Sequence, residues 1–310
     1  MTRPPEGERQ QLEFDLLFDA LPDIALRDQR DAMERPLVAL GKNRRTDPIE
    51  YQFDDDLFVR VLPHQEYGQA TIWDYDVILY LLGQINERAE RGDLPTVPAI
   101  SVAPHQLLTA IRRVPKGGRP GGADYRELRA AIARLQTTIV ETNIWQGKKL
   151  RRFKRFSLIH DFTEDDPGER SSGGMTFVLP AWMVDSIRNR RGILSIHPDY
   201  FDLSSGFDRF LYRVARKYAG RQPDGARIGM TKLHEKSGSP MRKSDFALQI
   251  RKAVTRNTLP EYDLRLTRSA SDEVLRMRPR SLSQLPEGAA QSRANETPLE
   301  DANDTPLLCE

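Results

Sequence analysis

The stretch TKLHEKSGSPMRKSDFALQIRKAVTRNTLPEYDLRLTRSASDEVLRMRPR, residues 231–280, decides the fold. Thr231 offers an N-cap, and the short helix it opens runs into Gly238, the residue type that ends helices in the left-handed conformation. Ser239-Pro240 restarts the chain with a capping oxygen ahead of a ring suited to the first helical position, and a periodic segment continues to about Asn257. Two helices therefore meet across a tight turn. At 3.6 residues per turn, Phe246, Ile250, Ala253, Val254 and Asn257 share one side of the second helix, and Ser244, Leu248, Arg251, Lys252 and Thr255 the other. The first side is expected in the core; the second is expected free. Leu259-Pro260 stops the helix, because proline lacks the donor and restricts the residue before it. Beyond it Tyr262, Leu264 and Leu266 alternate with Asp263, Arg265 and Thr267, and a Ser-Ala-Ser-Asp turn returns the chain through Val274 to Arg278. The pattern predicts a winged helix-turn-helix with arginine on the wing.

Charge follows the same boundary. From Ser205 to Arg280 there are 18 Lys and Arg against 8 Asp and Glu, in a chain whose net charge is only +2. A positive surface presented by a helix and a hairpin is the electrostatic footprint of a phosphate-binding module.

The whole chain has 310 residues, room for two domains that each bury a core. Its 38% hydrophobic and 30% charged residues fit a soluble, charge-rich protein, without an apolar run near the ~20 residues of a membrane span. The polar start, without an apolar h-region, points to a cytoplasmic protein. A single cysteine, Cys309, excludes a disulfide framework or a thiolate metal site within one chain.

Residues 1–34 carry 9 acidic and 4 basic residues, with an apolar patch at Leu12, Leu16, Leu17 and Leu21, and are expected to form a mobile arm. Pro36 to Leu40 and Phe58 to Leu62 read as strands around an acidic turn at Asp54-Asp55-Asp56. A core helix begins near Thr71 or Asp74, carries Trp73, Val77, Ile78, Leu81, Leu82 and Ile85, and ends at Gly92-Asp93-Leu94-Pro95. Val102 to Ile111 reads as a short helix, and a Gly/Pro-rich connection leads to a longer one that Asp124 and Glu127 would box. On it Tyr125, Leu128, Ile132, Leu135 and Ile139 face inward, and Arg126, Ala130, Arg134 and Thr137 outward. A hairpin from Ile139 turns at Gln146-Gly147 into the cluster Lys148-Lys149-Leu150-Arg151-Arg152-Phe153-Lys154-Arg155, a second basic wing.

Glu164 to Gly168 and Ser171 to Gly174 mark a loop, either the boundary to the next half or the tip of a long hairpin. Met175 to Leu179 reads as a strand and Ala181 to Asn189 as a helix. Phe207, Phe210, Leu211, Val214, Ala215 and Tyr218 then form the strongest amphipathic stripe in the chain. The order helix, short helix, long helix, basic hairpin thus occurs twice. The expectation is an α+β chain of two tandem winged helix-turn-helix domains with mobile termini: an arm at 1–34, domains at 35–170 and 171–280, and a disordered acidic tail at 281–310.

Enzymatic chemistry finds little support. Gly117 to Gly122 lacks the lysine and hydroxyl of a nucleotide loop. His64, His105, His160, His197 and His234 are isolated, so the metal cluster of a nicking enzyme is not legible. No enzyme, metal or cofactor is expected.

HPDYFDLSSGFDRFLYRVARKYAG at 197–220, FVLPAWMVDSI at 177–187 and TTIVETNIWQGKK at 137–149 resemble the plasmid replication initiator protein A family of alphaproteobacteria. The most specific part is Tyr200, Phe201 and Leu203 followed by Arg209, Leu211, Tyr212, Arg213, Ala215, Arg216 and Lys217; Tyr218 departs from the histidine expected there. The resemblance implies a tandem winged-helix initiator that binds direct repeats of double-stranded DNA at a plasmid origin, helps to open an A·T-rich segment and brings in host replication factors, the host initiator and replicative helicase among them.

The second helix of a helix-turn-helix enters the major groove, so Ser244, Arg251, Lys252 and Thr255 are expected at base edges, Arg242 and Lys243 near phosphates, and Arg265, Arg276 and Arg278 on the flanking backbone or minor groove. Arg126, Arg134, Lys148, Lys149, Arg151 and Arg152 of the first module either read a second part of the repeat or form a homodimer surface. A transcriptional repressor with the same modules is the alternative, and an origin-nicking nuclease a more distant one.

Overall fold

Two helices, covered by the surrounding chain on nearly every side, organise the protein. The computed structural model describes residues 17–21, 24–33, 35–54, 57–114, 118–145, 148–165, 174–190, 192–268 and 272–280. Strands β1 (Leu17–Asp19) and β2 (Leu26–Gln29) lead into one helical turn, α1 (Arg30–Met33), and the hairpin of β3 (Ile49–Asp54) and β4 (Leu57–Leu62) precedes α2 (Tyr75–Arg91). Next come β5 (Ala99–Val102), α3 (Pro104–Ala110), α4 (Gly122–Thr137), a hairpin of β6 (Ile139–Trp145) and β7 (Lys148–Ser157), and strands β8 (Asp161–Glu164) and β9 (Met175–Val178). Helix α5 (Ala181–Arg188), β10 (Ile193–Ile196) and a tight turn at Pro198–Asp202 lead to α6 (Gly206–Tyr218). The described chain closes with β11 (Ala226–Gly229), α7 (Met230–Ser237), α8 (Lys243–Arg256), β12 (Tyr262–Arg268) and β13 (Glu273–Pro279).

The chain is mixed α and β, with mainly antiparallel sheets. Strand orders are β1-β5-β9-β8, β10-β2, β3-β4-β6-β7 and β11-β13-β12; β1 on β5 is a parallel pair. The order helix, strand, short helix, long helix, hairpin occurs twice, from α2 to β7 and from α6 to β13. Pairing differs between the two. Strand β11 joins its own hairpin through β13, whereas β5 leaves its hairpin for β1 and β9, and β4 sits beside β6 instead.

Helix α2 is buried from Tyr75 through Ile85 and packs on β2 and α5. A Cβ on its Gly83 would lie 2.7 Å from the Ala25 carbonyl, so the segment entering β2 crosses the helix where no side chain stands. Helix α6 departs from an ordinary amphipathic helix. Its apolar stripe is in the core, but Asp208, Arg209, Arg213 and Arg216 on the other side are buried as well.

Buried charges need partners, and α6 finds them far away in sequence. Arg209 meets Asp76 of α2 at 2.5 Å and donates to the carbonyls of Leu203 and Phe201. Arg213 meets Asp28 of β2 at 2.7 Å, donates to the Ala32 carbonyl and lies 4.4 Å from the Tyr75 ring centre. Tyr75 donates to the other Asp28 oxygen at 3.1 Å. Arg216 donates to the backbone and hydroxyl of Ser195. Burial raises the Asp28 carboxyl above its ordinary value against the pull of Arg213. Asp76 is pushed up to about 6, again by burial, with Arg209 opposing.

These contacts correct several expectations. From Leu17 onward the N-terminal segment is no mobile arm: β1 pairs with β5, β2 pairs with β10, and Asp28 is fully buried. Pro36 to Leu40 makes one isolated bridge, Ala39 with Thr71, rather than a strand. The proposed boundary at 170/171 falls within a strand pair, because β9 pairs with both β8 and β5. Leu12 and Leu16, the turn residues Asp55 and Asp56, Gln146-Gly147, residues 166–173 and 269–271, and the tail from 281 lie outside the described residues.

Candidate nucleic-acid interface

Helix α7 ends at Gly238, whose φ of 58° is left-handed and favours glycine. A Cβ there would also lie 2.5 Å from Pro36 and 2.7 Å from Ile49. The Gly238 carbonyl, left over at the helix end, accepts from Arg45 at 2.9 Å. The first half of the chain thus seats the turn between α7 and α8.

The caps differ from those read in the sequence. Gly229 rather than Thr231 precedes α7, and the Thr231 amide donates to Asp272 at 3.2 Å. Ser239 accepts from the Met241 amide, closing a turn, and α8 begins only at Lys243 with Arg242 as its N-cap. On α4 the N-cap is Gly121, whose amide donates to Asp124 at 2.7 Å.

Helix α8 divides as its periodicity predicts. Phe246, Ala247, Ile250 and Ala253 are buried, with the His234 ring of α7 4.8 Å and the Phe207 ring of α6 5.7 Å from Phe246. Asp245 in the first turn and Arg256 in the last complement the helix dipole. Asn257 ends the helix at φ 47°, accepting from the Leu264 amide and donating to Asp263 at 2.6 Å. The helix end is thereby pinned to the first strand of the hairpin.

The opposite face is open. Arg242, Lys243, Ser244, Leu248, Arg251, Lys252 and Thr255 are all exposed. Arg251 is held by Glu273 at the start of β13, with Nη2 2.5 Å from Oε2. Thr255 donates back to the Arg251 carbonyl at 3.0 Å. Leu248, a large apolar side chain 47% exposed amid these polar groups, is absent from the residues picked by charge.

The hairpin presents its arginines outward. Leu264, Leu275 and Met277 face the helices and are buried, while Arg265, Arg276 and Arg278 alternate with them on the other face. Arg265 is steadied by Asp263 at 3.0 Å, and Arg278 donates to the Asp224 carbonyl. Arg276 sits below the ordinary arginine value because burial and the neighbouring Arg278, Arg227 and Arg265 disfavour its charge. Arg227 of β11 joins this face although the sequence reading did not include β11 as a strand. An Ala-Arg-Ile-Gly alternation just before α7 was the available signal.

The first half gives a weaker picture. Arg126 is exposed on α4. Arg134, expected outward, instead forks onto buried Asp74 ahead of α2, both bonds 2.8 Å, and its pKa rises through that pairing. A buried carboxylate that Arg134 neutralises explains the inward turn, so Arg134 leaves the candidate set. Lys148, Lys149, Arg151 and Arg152 lie on β7, paired through its backbone to β6; their side chains lie outside the described residues. Arg155, further along, pairs with Glu141.

A family model described as replication initiator protein A matches residues 27–264. A protein of Wigglesworthia glossinidia brevipalpis named "Putative replication protein" is 30% identical over 252 residues, covering 80% of this chain and 88% of its own. The crystal structure of domains 2 and 3 of RctB, as selenomethionine derivatives, superposes with a TM-score of 0.54 at 12% identity over 80% of this chain and 96% of that one. At that identity the likeness is one of fold.

Proposed function

The chain belongs to the replication initiator protein A family, and from that premise we propose that it initiates plasmid replication by binding repeated duplex sequences at an origin. The reading is non-enzymatic and needs no cofactor. Binding bends or opens the neighbouring DNA and gathers host replication proteins on it.

One observation carries the reading: α8 packs one face into the core and leaves Ser244, Leu248, Arg251, Lys252 and Thr255 exposed beside an arginine-rich hairpin. A helix so mounted fits the major groove, where its side chains meet base edges, while the hairpin reaches the backbone. In this reading α6 to β13 is a winged helix-turn-helix, and α2 to β7 is a second module of the same order that either extends the DNA contact through Arg126 and β7 or pairs with another copy. The working compartment is the cytoplasm.

The test is binding of the full chain to a labelled duplex carrying the direct repeats of its own replicon, against a shuffled duplex, over a range of salt. Tighter binding to the repeats with a steep salt slope is expected. Lys252→Ala should cost ~1–3 kcal/mol if it reads a base, and relax specificity there. Equal binding of the wild type to both duplexes would withdraw the initiator reading.

A further inference from the structure

The strand register sets three arginines abreast. Arg227 of β11 is opposite Arg276 of β13, and Arg276 is opposite Arg265 of β12. Cross-strand neighbours have Cβ atoms about 4.5–5.5 Å apart, and like charges so placed destabilise a sheet. The row therefore works against folding stability.

Nearby acids do not ion-pair with its centre, although Asp224 partly offsets the neighbouring arginines at Arg276. Asp263 attends Arg265, and Asp224 lies 3.8 Å from Arg278. Among the described residues no carboxylate stands within ion-pair distance of Arg227 or Arg276, and the Arg276 Nε is buried without a hydrogen-bond partner. The flanking row toward the hairpin turn is Gly229, Val274 and Thr267, without charge. Arginine keeps its proton even where its pKa falls, so the repulsion cannot be relieved by titration.

We propose that the Arg227–Arg276–Arg265 row is a phosphate-binding rail that holds the backbone of a nucleic-acid strand. The inference rests on the DNA-binding reading of α8 and deepens what that reading gives the hairpin: it adds Arg227 of β11 and places the contact on the sheet face turned away from the helices. Three guanidiniums across three strands, each spaced about 4.8 Å from the next, span roughly 10 Å. A row of that length is wider than a single phosphate group, so it suits a backbone carrying several phosphates better than one isolated anion. Guanidinium forks pair bidentately with phosphate and so resolve the repulsion that the register creates. Backbone contact of this kind is blind to sequence.

The experiment compares full-length wild type, Arg276→Gln, Arg276→Lys and the triple Arg227→Gln, Arg265→Gln, Arg276→Gln variant. Each is titrated with the repeat duplex and the shuffled duplex at several salt concentrations, and its thermal midpoint is recorded. The rail requires the salt slope to drop by about 1 per arginine lost, by the same amount on both duplexes, with Arg276→Lys retaining the slope and no midpoint falling. An unchanged slope in the triple variant, while the wild type still prefers the repeats, overturns the rail and leaves the α8 reading intact. Lowered midpoints would make the row structural and overturn it as well. A wild type that binds neither duplex removes both.

Discussion

Arg251, midway along the open face of α8, forks onto Glu273 at the start of β13, its Nη2 2.5 Å from one carboxylate oxygen and its Nε 3.2 Å from the other. The pair lowers the Glu273 carboxyl below its ordinary value through that hydrogen bonding, so it is ionised at neutral pH. In the free protein a carboxylate thus occupies an arginine that the proposed reading places at a base edge. Glu273→Gln releases Arg251 and removes a charge that repels phosphates. Its expected outcome is tighter binding to both repeat and shuffled duplexes and a salt slope steeper by up to about 1. Binding equal to wild type would mean that Arg251 keeps Glu273 as its partner on DNA.

Leu248 invites a different test. If the open face of α8 meets base edges as proposed, an apolar side chain there suits the methyl group of thymine. Replacing thymines in the repeat by deoxyuridine should weaken wild-type binding, and Leu248→Ala should be insensitive to the same replacement. A methyl effect that persists in Leu248→Ala would assign the contact to another residue.

The division of α8 into buried and open faces was legible because periodicity is a local property, and Gly238, Pro260 and the alternation in β12 and β13 are local too. Long-range complementarity was not. Nothing near Asp28 announces that its partner is Arg213, 185 positions on, so an acid-rich N-terminal segment reads as a mobile arm. The same blindness left the charged side of α6 unread beside its apolar stripe, and sent Arg134 outward when its carboxylate, Asp74, is 60 residues away. Strand β11 escaped notice because its four residues acquire meaning only from their register with β13.

Removing one member of a buried ion pair strands the other, which typically costs ~3–5 kcal/mol. Asp28→Asn should approach that loss in urea unfolding, since Asp28 is fully buried between Arg213 and Tyr75. Joint replacement by Asp28→Leu and Arg213→Met should cost less than the sum of the singles. A loss below about 1 kcal/mol in Asp28→Asn would show that burial had already left the carboxyl protonated.

Asp76 carries a pH signature. Its carboxyl is raised to about 6 in the folded chain by burial, above roughly 3.9 for an unfolded aspartate. The folded state then holds a proton that the unfolded state has released, so this group's contribution to stability is full below about pH 4 and is lost as pH rises through 6. Relative to Asp76→Asn, wild-type unfolding free energy should fall by up to about 1.4 kcal/mol per pH unit across that window. A flat difference over the same range would mean that the contact with Arg209 keeps Asp76 ionised throughout.

The ion pairs of α6 also decide how an initiator of this kind can be recombined. A chimera joined between β9 and α6 would inherit Arg209 and Arg213 from one parent and owe their carboxylates, Asp76 and Asp28, to the other. A crossover after α6 avoids this, because Met230 to Pro279 carries the open face of α8 and the hairpin but neither of those pairs. The transplanted segment would still have to bring a glycine for the seat formed by Pro36, Arg45 and Ile49, the Arg256 that meets Asp208, and the Glu261 that accepts from Tyr212. If α8 and the hairpin read the origin as proposed, its specificity can be exchanged as a cassette of about fifty residues while the remainder of the chain is inherited unbroken.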